Sequence, residues 1–183
     1  MEEAVIVAGV RTPFGTFGGA LAEVPATRLG ALVIQEALKR AGVGGDQVDE
    51  VIMGNVIAAG LGENPARQAS IWGGVDISTP ATTINKVCGS GMKTIALASQ
   101  SIRLGEAEVV IAGGMENMSR APYLLPKARF GFRMGDGVVE DSLMRDGLTC
   151  AFEDCHMGVT AENVAKDYNV GRHAMDELSL IHI

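Results

Sequence analysis

The chain has 183 residues, a formal net charge of −7 and a pI near 4.9, which excludes the broad basic footprint of a nucleic-acid binder. It is 47% hydrophobic but only 4% aromatic, with 24 glycines, so its core is built from Ala, Val, Ile, Leu and Met between many tight turns, as in packed α/β layers. No apolar run approaches the roughly 20 residues of a membrane span, Met1-Glu2-Glu3 is acidic where a secretory leader is basic, and three cysteines, an odd number, make no disulfide framework.

A chain of this length buries roughly 70% of its unfolded surface and needs neither disulfide nor metal to hold a core. The expected compartment is reducing, the cytoplasm. Ala4 to Val10 is an apolar run too short for a helix and predicts a strand buried on both faces. Arg11-Thr12-Pro13-Phe14-Gly15 ends it. Thr27 is the expected N-cap of a helix from Arg28 to Ala41, with Ala31, Ile34, Ala37, Leu38 and Ala41 on one face, and Gly42 stops it. Val51 to Val56 is the second predicted strand. Asn64-Pro65 reads as a cap followed by a first-turn proline, starting a helix that runs to Trp72. Ala81 to Val87 is the third strand, Met92 to Leu104 the next helix, and Val109 to Ala112 the fourth strand.

This alternation predicts a mainly parallel sheet with crossover helices. Between Met92 and Leu104 the residues are mostly apolar or small, which predicts a helix buried all round between two layers. A sheet of four or five strands supplies only one of them. From Met115 to Cys155 no period holds, and so long an excursion inside a compact domain points to function. Thr160 is the expected cap of a helix over Ala161 to Asp167, and another helix begins near His173. No turn or cap closes that last helix before Ile183, so the chain reads as truncated.

The chemistry concentrates in Asn85-Lys86-Val87-Cys88-Gly89-Ser90-Gly91-Met92-Lys93-Thr94. Cys88 stands where a strand hands over to a helix. The unpaired first N–H groups and the positive end of the helix dipole favour thiolate, the nucleophilic form. The glycines after it let a substrate approach the backbone. A phosphate loop fails because Met92 separates Gly91 from Lys93, and a dinucleotide fingerprint fails because Thr94 stands where a third glycine is required. On these residues alone Cys88 is either a nucleophile or a small buried hydrophobe. Cys150 and Cys155 lack such a context. With His156 they suggest a metal site, but no second ligand pair follows at zinc spacing, and no metal is expected.

Asn85 to Thr94, followed by Ala112-Gly113-Gly114-Met115-Glu116-Asn117-Met118-Ser119, resembles the signature region of the thiolases. Arg11 to Gly15, Phe17-Gly18-Gly19, Asp146-Gly147-Leu148, and His156-Met157-Gly158 through Ala161 to Ala165 are similar to further motifs of that family. The likeness runs from residue 4 to about residue 177, and the His-Met pair points to its short-chain, biosynthetic-type members.

The resemblance implies an α/β, thiolase-like layered fold. Residues 1–118 form an N-terminal half, a mainly parallel sheet with a buried helix after Cys88. Residues 119–183 begin the CoA-contacting loop domain, truncated, with the C-terminal half absent. It implies an acyltransferase that condenses two acetyl-CoA to acetoacetyl-CoA, or cleaves 3-ketoacyl-CoA by thiolysis, through an acyl intermediate on Cys88. Leu148, His156 and Met157 match positions that contact CoA. Acetyl-CoA and other acyl-CoA are the expected partners, as substrates. No separate cofactor, nucleic acid or membrane is expected, and the assembly is expected to be a homo-oligomer, a tetramer. The family's activating histidine, acid/base cysteine and water-orienting asparagine have no match here. His156, His173 and His182 do not supply the first, so this chain alone is expected to be inactive. A ketoacyl-synthase-type condensing enzyme and a non-catalytic interaction fragment remain the alternatives.

Overall fold

The computed structural model describes residues 3–181. The expectations on Met1, Glu2, His182 and Ile183 lie outside the described residues. The chain forms two compact units, one ending at Leu143 and one beginning at Met144.

The first unit is built on a three-stranded parallel sheet. β1 (Glu50–Gly54) lies between β2 (Ala81–Ile84) and β3 (Val110–Gly114), in a register that sets Val51 beside Ala81 and Ile111. Val51, Ile52 and Met53 are all buried, the continuous apolar run that a central parallel strand requires. α1 (Ala26–Ala41) precedes the sheet, α2 (Pro65–Trp72) joins β1 to β2, and α3 (Ser90–Leu104) joins β2 back across β1 to β3. The two crossovers run in opposite directions, so right-handed connection places their helices on opposite faces.

Strand alternation agrees with that placement. Val51 and Met53 join Ala26, Ile34, Ala66, Ala69 and Met115 in one core under α1 and α2, while Gly54, of the other parity, meets Ser90 of α3. α1 and α2 cross closely because Gly30 has no side chain: a Cβ there would stand 3.1 Å from that of Ala69 and 2.5 Å from the Met115 sulfur. Asp49 ties the start of β3 to β1. Its carboxylate accepts the N–H groups of Glu108 (2.7 Å) and Val109 (2.9 Å). Those bonds, Val109 first, hold its pKa below the usual carboxylate value.

Several expectations hold. Gly42 and Gly105 end α1 and α3 in the left-handed conformation. Asn64 caps α2 by accepting from Arg67 N–H, with Pro65 at the first helical position. The excursion after Met115 contains only short elements, among them the antiparallel pair β4 (Tyr123–Leu124) and β5 (Glu140–Asp141). In the second unit a π-helical turn ending at Leu148 leads to α4 (Met157–Asp167) and α5 (Arg172–Ser179).

Others are corrected. Ala4 to Val10 is extended but joins no ladder among the described residues, and Val5, Ile6 and Val7 are exposed. A strand buried on both faces needs a neighbouring edge and two covering layers, and the described elements give this run neither. The helix after Cys88 is not buried all round. Ser90, Thr94 and Ala98 face the sheet, whereas Met92, Ile95 and Leu104 are exposed, because one layer alone covers it here. Thr27 is not the N-cap of α1. The helix starts at Ala26 behind Pro25, and Thr27 is buried inside it. Thr160 does not cap α4 either. His156 does, four residues earlier, its Nδ1 accepting the Gly158 N–H at 2.9 Å. The third strand stops at Ile84, where the backbone leaves the ladder to turn.

Gly54→Ala would place a methyl 2.9 Å from the Ser90 carbonyl carbon. It is expected to lower stability by about 1–3 kcal/mol, read from denaturant unfolding. Asp49→Asn tests the β1–β3 tie by pH. A carboxylate whose folded pKa is depressed contributes stability that is present above its unfolded pKa, about 3.9, and lost as pH falls further. Thermal melts are expected to show the wild type more stable at neutral pH, with the gap closing below about pH 4.

Candidate active site

After β2 the chain leaves the sheet through a turn held by its own side chains. The Asn85 side-chain oxygen accepts the Val87 N–H at 2.8 Å. The buried Ser90 hydroxyl accepts the Lys86 N–H at 2.8 Å and donates to the Val87 carbonyl at 2.6 Å. Between them Val87 takes φ 49°, a left-handed conformation rare for a β-branched residue. Such a conformation costs on the order of 1–3 kcal/mol and persists only where the surroundings impose it. The Gly89 N–H closes the turn by donating to the Lys86 carbonyl at 3.1 Å. Cys88, at its tip, is a free and exposed thiol. Cys88 belongs to no packed core among the described residues.

Gly89 is the N-cap of α3, and Cys88 immediately precedes it. The Ser90 N–H turns back to the Val87 carbonyl and that of Lys93 to the Gly89 carbonyl. The positive end of the α3 dipole adjoins the cysteine, where developing negative charge is stabilised. The β1 and β2 connections depart to opposite faces of the sheet, and the crevice outside such carboxyl ends is the usual ligand position of open α/β sheets.

The end of β3 braces this region. Glu116 accepts the Asn55 amide (3.0 Å) and the Val56 N–H (2.8 Å), and Asn55 also donates to the Met115 carbonyl at 3.1 Å. Burial pushes the Glu116 carboxyl above its usual pKa, against the opposing pull of the Val56, Ile57 and Asn55 bonds. Asn117 donates to the carbonyls of Leu21, Ala22 and Val24 at 2.7–3.2 Å, and the Ser119 hydroxyl accepts the Gly18 N–H at 2.9 Å. Sequence reasoning noticed this run only as a motif. Its signal was a run of polar side chains, Glu116, Asn117 and Ser119, directly after a predicted strand, which have to find partners there.

The other predicted site residues belong to the second unit. Leu148 ends the π-helical turn half-buried, Thr149 pairs with His156 in an antiparallel bridge, and Met157 opens α4, 44% exposed. The structure thus brings Leu148, His156 and Met157 to one short turn. Because His156 spends Nδ1 on capping, chemistry at its ring falls to Nε2. His173 Nδ1 lies 3.5 Å from a Glu177 carboxylate oxygen. A surface groove of about 440 Å³ between Pro25, Arg28, Leu61, Gln68, Trp72 and Pro122 does not include Cys88. Arg28 stacks on Trp72 there, 3.7 Å from the ring centroid. Among the described residues no three His, Cys, Asp or Glu side chains are placed to hold a metal, and no helix is long and apolar enough to cross a membrane.

Comparison with known proteins places these features. The family described as thiolase, N-terminal domain, matches residues 4–181. An acetyl-CoA acetyltransferase of Cupriavidus necator is 56% identical over 180 residues, covering 98% of this chain and 46% of the relative. One from Escherichia coli is 56% identical over 181 residues, with the same coverage. A probable acetyl-CoA acyltransferase of Staphylococcus epidermidis is 50% identical over 179 residues. The chain spans about half the length of the curated relatives it matches.

Ser90→Ala strips the turn of its central hydroxyl and leaves the Lys86 N–H without that acceptor. A loss of about 1–3 kcal/mol is expected in denaturant unfolding. Ser78→Ala, which removes an exposed hydroxyl bonded only within its own loop, is the control and is expected to stay within about 0.5 kcal/mol of wild type.

Proposed function

Because this chain belongs to the thiolase family, we propose that Cys88 is the nucleophile that takes an acyl group from an acyl-CoA. The observation that carries this reading is the position of Cys88: an exposed thiol at the tip of a strand–turn–helix elbow that Ser90 and Asn85 hold rigid. The thiolate attacks the thioester carbonyl, coenzyme A leaves as the thiol, and the acyl group is held as a new thioester on Cys88. One thioester is exchanged for another at nearly equal energy, so the group stays transferable.

In the second half-reaction the α-carbon of another acetyl-CoA attacks the acyl-cysteine. A carbon–carbon bond forms, the Cys88 sulfur leaves, and acetoacetyl-CoA is released. Thiolysis of a 3-ketoacyl-CoA is the reverse. Carbon acidity demands a base, and the enolate oxygen demands hydrogen-bond donors. The relatives' name, acetyl-CoA acetyltransferase, supports acetyl-CoA as the substrate. Leu148, His156 and Met157, gathered on one turn, are proposed to contact the coenzyme A arm. Coenzyme A thioesters enter as substrates, without a separate cofactor. The same reading makes the protein a cytoplasmic homo-oligomer of fatty-acid metabolism.

Two measurements test it. With the protein at the length of its relatives, brief exposure to acetyl-CoA is expected to add one acetyl group to the tryptic peptide Val87–Lys93, and none in Cys88→Ala. An unmodified peptide overturns the nucleophile. In the 183-residue chain, cleavage of acetoacetyl-CoA by coenzyme A is expected to stay at the Cys88→Ala background. Efficient turnover would show that these residues hold the base and acid as well.

A further inference from the structure

Cys150 and Cys155 have no part in that chemistry, and the sequence offered them only as partners of His156 in a metal site that lacks its second ligand pair. Within the second unit the backbone sets them face to face. Thr149 pairs with His156 in an antiparallel bridge, and one step inward that register places Cys150 opposite Cys155. The Cys150 N–H donates to the Cys155 carbonyl at 2.8 Å. Directly opposed residues of an antiparallel pair hold their Cα atoms about 4.5–5.5 Å apart, and their side chains leave from the same face of the ladder. A disulfide closes between Cα atoms roughly 4.4–6.8 Å apart, the range in which that register sets the two cysteines.

The turn is held independently by the Asp154 N–H, which donates to the Cys150 carbonyl at 3.0 Å with Asp154 in the left-handed conformation. Both thiols are free and half-buried, and Ala151 to Asp154 between them are exposed. The Cys155 sulfur rests 3.7 Å from the Thr160 hydroxyl, a contact that closure gives up.

We propose that Cys150 and Cys155 form a redox modification site, closing a reversible disulfide across the turn between Leu148 and His156 when a small-molecule disulfide is present. One cysteine thiolate attacks the small disulfide RSSR, forming a mixed disulfide and releasing RS⁻, which takes up the proton that the cysteine lost. The second cysteine, as thiolate, attacks the protein-side sulfur of the mixed disulfide, and the second RSH leaves. Two protein thiols are oxidised and RSSR is reduced to two RSH. In a reducing compartment such bonds are transient and regulatory, not structural. The bond stands whether or not the acyl-transfer reading does, because Cys88 takes no part in it.

The test uses oxidised glutathione on the 183-residue chain, N-ethylmaleimide labelling and tryptic mass mapping. Peptide Asp146–Lys166 contains both cysteines and Val87–Lys93 contains Cys88 alone. Asp146–Lys166 is expected two hydrogens lighter and unlabelled, with both labels restored by dithiothreitol. Cys155→Ser is expected to stop at the mixed disulfide, one glutathione on Cys150. Maleimide on both cysteines under conditions that fully oxidise a dithiothreitol control overturns the proposal. So does a bond from either cysteine to Cys88.

Discussion

The first turn of α3 is seated on glycines at the ends of β1 and β3, and the rest of the first unit is arranged around that contact. Gly54 ends β1, Gly114 ends β3 and Gly91 lies in the first turn of the helix; a Cβ on Gly54 would stand 3.0 Å from the Gly91 nitrogen and one on Gly114 3.3 Å from the Gly91 Cα. Thr94, fully buried, bonds both the Gly91 and the Gly113 carbonyls. A helix seated so closely has no freedom to slide. The turn before it therefore has one place to go, and Val87 accepts an unfavourable conformation to make it. The exposed thiol follows from that geometry. It stands at the apex of a turn whose two ends are anchored, one by the β1–β2 ladder and the other by the helix seat.

The run after β3 serves the same end from the other side. Met115 fills the core against Gly30. Glu116 collects N–H groups from the end of β1, Asn117 collects carbonyls from the loop before α1, and Ser119 holds Gly18. A motif that reads as functional is, in this structure, a clasp that fastens two loops to the sheet. Its polarity is explained by the backbone groups that those loops leave unpaired.

Local chemistry was legible in the sequence wherever it depended on near neighbours. The Asn64-Pro65 start, the glycine stops and the order of β1, β2 and β3 with their crossover helices could all be read there. Errors arose where a local rule competed with a distant partner. Ala4 to Val10 has the composition of an inner strand, but composition does not provide the edge that it must pair with. Thr160 is a good cap by type, yet His156 lies where the N–H groups of α4 are free to be accepted. The apolar composition of α3 reads as a helix buried all round, but among the described residues one layer covers it and Met92, Ile95 and Leu104 stay exposed.

Sequence alone determined the alternation of elements, the absence of a spanning apolar run and the strand-to-helix position of Cys88, because each depends on residue type and short spacing. It also determined the family, through motifs long enough to be specific. Only the tertiary structure decided that the thiol is exposed, that Ser90 and Asn85 set its turn, and that Cys150 faces Cys155 across the turn before α4. Those depend on register and on backbone contacts between segments far apart in the chain or folded back on themselves, and no residue carries that information by its type.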